Sequence, residues 1–488
     1  MKKAIFIAGL IGFCSLTNAQ EFDSVAYRFA NDIDKATIEK HLRVIASDEY
    51  EGRETGKEGQ KKTMEYLIKE FKSYGIEDVK GMNFKQAFPL IEQENSNVTL
   101  NINGVELIQF EDFLLRPFFV SNQNIRAELN YYNGQEDIEG IDFFIWDNDD
   151  ESSESLNKQA KKIKESKARL VLFYDSTLNE KLEKYEHYFK KSRTKLATDE
   201  AKAQTLTIAL TETGLSKLFN AANIKPDKLE KKGASLFEKA FPLQIDLNID
   251  KPNNEISGEN VLAFIPGKSK KDEIIVITAH YDHLGTDGEL VFNGADDDGT
   301  GTVSLLEIAQ SFMLAAKEGY RPERSILIMP VSGEEKGLLG SRYYTENPVF
   351  PLENTVANLN IDMIGRYDEH HTTDSNYVYL IGSDKLSTEL HNLSEEVNKT
   401  YSKFNIDYRF NDENDPNRFY YRSDHYNFAK NNVPVIFYFS GVHEDYHKST
   451  DTVEKIDFDK TSRIARLVFL TAWEIANREE RIKLDEEL

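Results

Sequence analysis

Thiols are almost absent from this sequence. Its single cysteine, Cys14, falls in a short apolar stretch near the start, so the rest of the chain can form no internal disulfide and offers no thiolate to a metal. Any metal site must therefore be built from nitrogen and oxygen. A long apolar run is missing as well: residues 4–16 fall short of the roughly 20 that a membrane span needs, no later stretch qualifies, and no stable membrane insertion is expected. Positive charge is also in deficit. Against 84 Asp and Glu stand 60 Lys and Arg, a formal net charge of −24. Phosphate backbones need a basic surface, so nucleic acid is excluded as a partner, and a membrane-surface role is disfavoured for the same reason.

The first residues carry their own signature. Lys2 and Lys3 precede the apolar stretch, and Thr17-Asn18-Ala19 is a small-x-Ala cleavage signal before Gln20. Residues 1–19 read as a cleavable signal peptide, and export to the periplasm or the extracellular space is expected. A lipid-anchored reading at Cys14 would need a small residue before it, and Phe13 is bulky.

What remains is ample for a large core: 488 residues, 40% hydrophobic, implying more than one domain. Three regions follow the leader. In 20–94, Ile38, Leu42 and Ile45, then Met64, Leu67, Ile68 and Phe71, recur at helical spacing around a polar, Gly-rich connection, SDEYEGRETGKEG, in which no chemistry is read. In 95–250 the texture changes to short alternating strands (98–102, 127–132, 142–146, 169–174, 205–209) between lysine-rich helical stretches such as 151–167; this reads as an inserted, smaller β-rich α/β domain. From 251 to 488, strands at 261–265, 274–279, 325–331, 356–361, 377–381 and 433–439 alternate with helices at 302–317, 337–344, 385–401 and 457–476. That alternation predicts an α/β fold, a mostly parallel mixed sheet flanked by helices.

The polar residues of this last region lie in a pattern. The β-branched run 274–278 leads to His280 and Asp282, whose i, i+2 spacing points both the same way along an extended chain. A Gly-punctuated loop follows with Asp296, Asp297 and Asp298. Other expected strands run into Glu334-Glu335, into Asp362, and into a segment holding His443 and His447. Each group falls just past the carboxyl end of a strand, the edge where open α/β sheets bind ligands. Imidazoles and carboxylates without thiolates suit zinc in a catalytic setting, with Mn2+ or Co2+ as substitutes. There are more such groups than one tetrahedral ion takes up, which points to a pair of ions bridged by one carboxylate. Neighbouring side chains diverge, so one of Glu334 and Glu335 can ligate metal while the other serves as general base. Spacing alone does not choose between His443 and His447.

Six motifs now stand in order: HYDHLG, NGADDDGTG, SGEEKGLLGS, NLNIDMIGR, RSDHYNF and DYHKSTDT. Together they resemble the two-zinc exopeptidases related to secreted bacterial leucyl aminopeptidase and glutamate carboxypeptidase. The resemblance implies two Zn2+ per chain held by His280, Asp296, Glu335, Asp362 and His447, with Asp296 bridging, and a cis peptide after that Asp, at Asp296-Asp297. It implies Glu334 as catalytic base, Asp282 as the partner that holds His280, and Tyr420 as a stabiliser of the tetrahedral intermediate, with Tyr421 beside it. Peptides become the expected substrates and removal of amino-terminal residues the expected activity. The insert resembles a protease-associated domain through Ala168-Arg-Leu-Val-Leu-Phe-Tyr and Thr205-Leu-Thr-Ile-Ala-Leu-Thr-Glu. His283, His370, His371 and His425 have no partner pattern and are expected to be structural or exposed. Three other readings stay open: a one-zinc glutaminyl cyclase, a carboxypeptidase for acidic peptides using Arg366, Arg418 or Arg422, and a non-catalytic receptor-like binding protein.

Overall fold

The computed structural model describes residues 22–79, 81–132, 141–145, 168–199, 205–228, 235–372 and 374–485. The leader read at 1–19, with Cys14, and the helical stretch read at 151–167 lie outside the described residues. The chain divides into two units, one formed by the segment up to Phe88 and the segment from Gly258, the other by Pro89–Ser257. It passes from one to the other along strands Lys85–Gln93 and Asn253–Val261.

The first unit is built on a seven-stranded sheet in the order Ala263–Ile265, Arg324–Val331, Lys270–His280, Thr355–Ile361, Val435–Phe439, Tyr377–Ile381, Asn405–Asp407. Arg324–Val331, Lys270–His280, Thr355–Ile361 and Val435–Phe439 are mutually parallel. Ala263–Ile265 runs antiparallel at one edge, and Tyr377–Ile381 joins Val435–Phe439 antiparallel on the other side. The expected mixed, mostly parallel sheet is what forms, and the reason lies in burial on both faces. Ile275, Val276 and Ile277 are each 0% exposed, so a strand there must read as a continuous apolar run. Ile275, Ile277 and Ala279 pack on one face with helices Gly301–Lys317, Phe458–Asn477, Lys35–Ile45 and Glu58–Tyr74. Ile274 and Val276 pack on the other with Leu327, Met329, Phe428 and Val435. Each such aliphatic side chain contributes roughly 1.5–3 kcal/mol through burial. Helix ends follow local chemistry: Asp34 and Asp457 accept hydrogen bonds from first-turn N–H groups, and Gly75 closes Glu58–Tyr74 at φ 87°.

The first strand is Lys85–Gln93. One expectation changes in detail. The helix expected over 385–401 is α only from Thr388 to Val397 and continues as a π turn, Asn398–Ser402, ending at Lys403 with φ 56°. Among the described residues no helix is long and apolar enough to cross a membrane.

The second unit has an eight-stranded mixed sheet in the order Val105–Ile108, Val98–Ile102, Leu243–Ile249, Gln123–Tyr132, Phe143–Ile145, Leu170–Tyr174, Leu206–Leu210, Phe113–Arg116. Strands Gln123–Tyr132, Phe143–Ile145, Leu170–Tyr174 and Leu206–Leu210 are parallel, and helix Glu212–Ala221 packs Leu215, Leu218 and Phe219 into their core.

Candidate metal centre

The four parallel strands end side by side, and each delivers acid or imidazole. Strand Lys270–His280 ends on His280. Its Nδ1 lies 3.0 Å from the Asp282 carbonyl oxygen, which can only accept, so Nδ1 carries the proton and Nε2 faces inward. Around Nε2 stand Asp297 Oδ1 at 3.2 Å, Asp362 Oδ1 at 3.6 Å and Glu334 Oε2 at 4.0 Å. The other oxygen of Asp297, Oδ2, is 3.2 Å from His447 Nε2, which is also 3.3 Å from Glu335 Oε2. Asp297 thus offers one oxygen to each of two imidazoles.

This corrects the bridging residue. The resemblance puts Asp296 between the two ions, but its Oδ1 accepts from Thr300 Oγ1 at 2.9 Å and Gly365 N at 2.7 Å, and its Oδ2 lies 3.3 Å from His443 Nε2. The physical reason is the backbone. Residues Ala295–Thr300 form a π turn in which Asp297 and Asp298 depart from helical angles, so the three carboxylates diverge and only the middle one faces His280 and His447. The cis peptide also lies one residue later than expected, at Asp297-Asp298. Asp298 comes within reach of His280 and Asp362 too, yet its oxygens accept three backbone N–H groups, from His280, Gly301 and Met363. Gly294 is required at the turn's entrance: at φ 52° an added Cβ would meet the Asp297 carbonyl at 2.3 Å and the His283 ring at 2.5 Å.

The two histidines left open separate cleanly. His443 is buried against Asp296, while His447 reaches Asp297 and Glu335 and lines a pocket. His283 is more than structural filler: it is 0% exposed, with Nδ1 2.8 Å from Glu335 Oε1.

Supporting contacts explain why the cluster holds its shape. Asp282 does not meet His280 mainly through its carboxylate, which is 3.8 Å from Nδ1. Instead its Oδ1 accepts from the Glu334 N–H at 3.2 Å and its Oδ2 from Thr55 Oγ1 at 2.7 Å, tying the Glu334 loop to the strand end. Asp362 accepts from Ser423 Oγ at 2.7 Å; Asn360 donates to that hydroxyl and accepts from Thr278, a relay across the sheet. Asp451 accepts from the N–H groups of Asp296 (3.0 Å) and Asp297 (3.2 Å). Arg53, 0% exposed, donates to the carbonyls of Tyr281, Ile45, Asn293 and Gly294. The connection SDEYEGRETGKEG, silent as a sequence, therefore clamps the loop that carries Asp297.

Tyr420 is the other correction. It packs among apolar side chains and the rings of Tyr421, His425 and Tyr426, against Gly382, and is not part of the pocket wall. Helical geometry over Phe419–Tyr421 turns Phe419 inward instead. The tyrosine at the pocket is Tyr446, stacked on His447 with centroids 3.8 Å apart. His425 stacks on Phe437, and burial holds its imidazole down at about 3.

Electrostatics suit divalent cations. Burial, with Glu335, Asp362 and Asp424 nearby, pushes the Glu334 carboxyl well above the usual range against the pull of His280. Burial and Asp297 push Glu335 up as well, but the His447 and His283 imidazoles outweigh them and hold the group at about 2. Asp297 Oδ2, Glu335 Oε1 and both His283 nitrogens have no partner in hydrogen-bonding geometry although buried. Buried polar atoms without partners are rare and costly. Oxygen and imidazole donors left over in one cluster fit zinc.

Against known proteins, a family match lies within this unit. Residues 260–472 match Peptidase family M28. A probable zinc metalloprotease of Pyrenophora tritici-repentis is 30% identical over 265 residues, 44% of this chain and 51% of that protein. A probable glutamate carboxypeptidase of Arabidopsis thaliana is 36% identical over 104 residues, 21% of this chain and 14% of that protein. The chain thus spans about half or less of the curated relatives it matches. Among solved structures, an aminopeptidase from Aneurinibacillus sp. strain AM-1 superposes with a TM-score of 0.56 at 18% identity, over 95% of this chain and 98% of that one, a likeness of fold. The motifs and the family match fall on the same stretch of chain, and the cluster lies at the strand ends of a fold like that of the aminopeptidase structure.

Proposed function

We propose that this chain is an exported aminopeptidase that holds two zinc ions at His280, Asp297 and Asp362 on one side and His447, Asp297 and Glu335 on the other. The observation that carries the reading is Asp297, whose two oxygens face two imidazoles 3.2 Å away each. When bound, such a pair supplies Lewis-acid polarisation of a carbonyl and a water of lowered pKa. Everything else falls to the chain. Glu334 reaches the same pocket with its backbone pinned by Asp282, which places its carboxylate to take a proton from the attacking water and return it to the leaving amine. The carboxylates of Asp297, Glu334 and Asp362 line the pocket, a surface that favours the ammonium of a free amino terminus. Met363, Phe437, Phe439 and Val442 form its apolar wall, which can pack the hydrocarbon part of a bound side chain. The leader at 1–19 supports export, and the insert, by its resemblance, is proposed as a protease-associated domain.

The test is a panel of aminoacyl reporter substrates with and without chelator, alongside Glu334→Gln. Chelator should abolish hydrolysis. Glu334→Gln should keep both metals by elemental analysis and lose on the order of 10²–10⁴-fold in turnover; undiminished turnover would refute the base assignment. A count of one zinc per chain, with amino-terminal glutamine cyclised instead, would favour the cyclase reading.

A further inference from the structure

Cations near the metal centre are almost all spoken for. Arg366 is buried, its Nη2 is paired with Asp445 at 3.0 Å and Glu444 at 3.3 Å, and although its buried Nη1 has no partner the residue does not line the pocket. Arg53 spends its guanidinium on backbone carbonyls. Arg418 lies over the Tyr421 ring at 4.9 Å. Arg422 differs from all three. It is an exposed residue that lines the pocket with His280, Asp297 and Glu334, and it is the single Lys or Arg on that wall among the described residues. Among the described residues no carboxylate lies within 4.0 Å of its nitrogens, although the chain carries 84 Asp and Glu.

Its position is nonetheless fixed. The next residue, Ser423, is anchored on Asp362. The guanidinium carbon lies 4.8 Å over the Phe419 ring, and one terminal nitrogen donates to Tyr446 Oη at 3.3 Å. Stacking on an aromatic ring leaves the in-plane N–H groups free, the fork that matches a carboxylate bidentately. A fixed, unpaired guanidinium on an otherwise acidic pocket wall is arranged to receive an anion.

We infer that Arg422 is a specificity-determining residue that binds a carboxylate of the substrate. This rests on the peptidase reading above and names which peptides it favours. Two sources carry that chemistry: the acidic side chain of the first residue, or the carboxyl terminus of a very short peptide. The zinc-loaded full chain is assayed on two matched pairs, Glu- against Gln-aminoacyl reporter, and Leu-Ala as free acid against Leu-Ala amide, with wild type, Arg422→Gln and Arg422→Lys.

The expected result is a preference for the acid member of one pair of about tenfold or more in kcat/KM. Arg422→Gln should collapse it through KM, and Arg422→Lys should restore part of it. The pair that discriminates identifies the source. Equal rates within both pairs in the wild type, or a loss in Arg422→Gln that falls equally on acid and neutral substrates through kcat, would overturn the inference while leaving the peptidase reading intact. If the wild type hydrolyses none of the four substrates, nor any reporter of the wider panel, in a chelator-sensitive way, it is the peptidase reading that fails.

Discussion

Two buried clusters of histidine and acid lie in the same unit, and they behave oppositely. One is the strand-end group of His280, Asp297, Glu334, Glu335, Asp362 and His447. The other lies between helices Lys35–Ile45, Glu58–Tyr74 and Gly301–Lys317: His41 Nδ1 is 2.6 Å from Tyr66 Oη, its Nε2 is 3.5 Å from Tyr74 Oη and 3.8 Å from Glu307 Oε1, and Glu307 Oε2 accepts from the Asp34 N–H at 3.4 Å. In the helical cluster one imidazole and one carboxylate meet two phenols, and burial holds both ionisable groups toward their uncharged forms, with Glu307 Oε1 lacking a hydrogen-bond partner. In the strand-end cluster the carboxylates outnumber the imidazoles, several atoms have no partner, and a pocket gives access. Burial of histidine with acid is therefore not a functional signature. Excess charge that the protein itself does not satisfy is one.

The largest effect that could break this contrast is at Asp297. Asp297→Asn should lose metal and cut kcat/KM on the order of 10³-fold, since both proposed ions share that carboxylate. Asp296→Asn, one residue away, should keep two metals. Elemental analysis of both variants decides between them; metal loss in Asp296→Asn with retention in Asp297→Asn would restore Asp296 as the bridge.

That pair also marks where the sequence stops being legible. The strands are readable because a doubly buried parallel strand is one continuous apolar run, as in 274–279. His280, Glu334, Glu335, Asp362 and His447 follow, since each sits directly at or shortly after such a run. Asp296, Asp297 and Asp298 are chemically identical and consecutive, and which one faces inward is set by a π turn with no periodicity to read. Alternation misleads at Asp282 for a related reason: the chain leaves the strand at His280, so the i, i+2 rule no longer applies and the main-chain carbonyl meets the imidazole first. Arg53 and Asp451 are invisible because they hold backbone groups more than 150 residues away in the chain, which no motif spacing reports. Tyr420 comes from the resemblance alone, and the turn at Phe419–Tyr421 that takes it off the pocket wall has no periodicity to read.

A middle-sized effect is expected at His283, which touches Glu335 without lying on the pocket wall. If it braces a metal-binding carboxylate, His283→Gln should weaken binding of one of two zinc ions by about 10–100-fold in a competition titration with a chromogenic chelator. An unchanged titration would move His283 into the same class as His41, a buried ring with no bearing on the metal.

The smallest effect on chemistry is expected in the helical cluster, where the contrast is sharpened by pH. Burial pushes Glu307 up from 4.5 to about 7, and burial with Lys40 nearby pushes His41 down from 6.5 to about 4. For Glu307 the folded state keeps its proton where the unfolded chain has lost it, so its contribution is fully present below pH 4.5 and is lost as pH rises through 7. For His41 the unfolded chain takes the proton first, so stability is fully present above pH 6.5 and is lost as pH falls through 4. Between 4.5 and 6.5 the two slopes oppose each other, and near pH 7 only the Glu307 loss remains. Glu307→Gln removes that loss while keeping the shape of the side chain. Its stability relative to wild type should rise from pH 4 to pH 8 by about 3 kcal/mol, read from denaturant unfolding at each pH, with zinc content and kcat/KM unchanged. A parallel pH profile would show that Glu307 ionises freely in the folded protein, and a fall in zinc content would join the two clusters into one functional network.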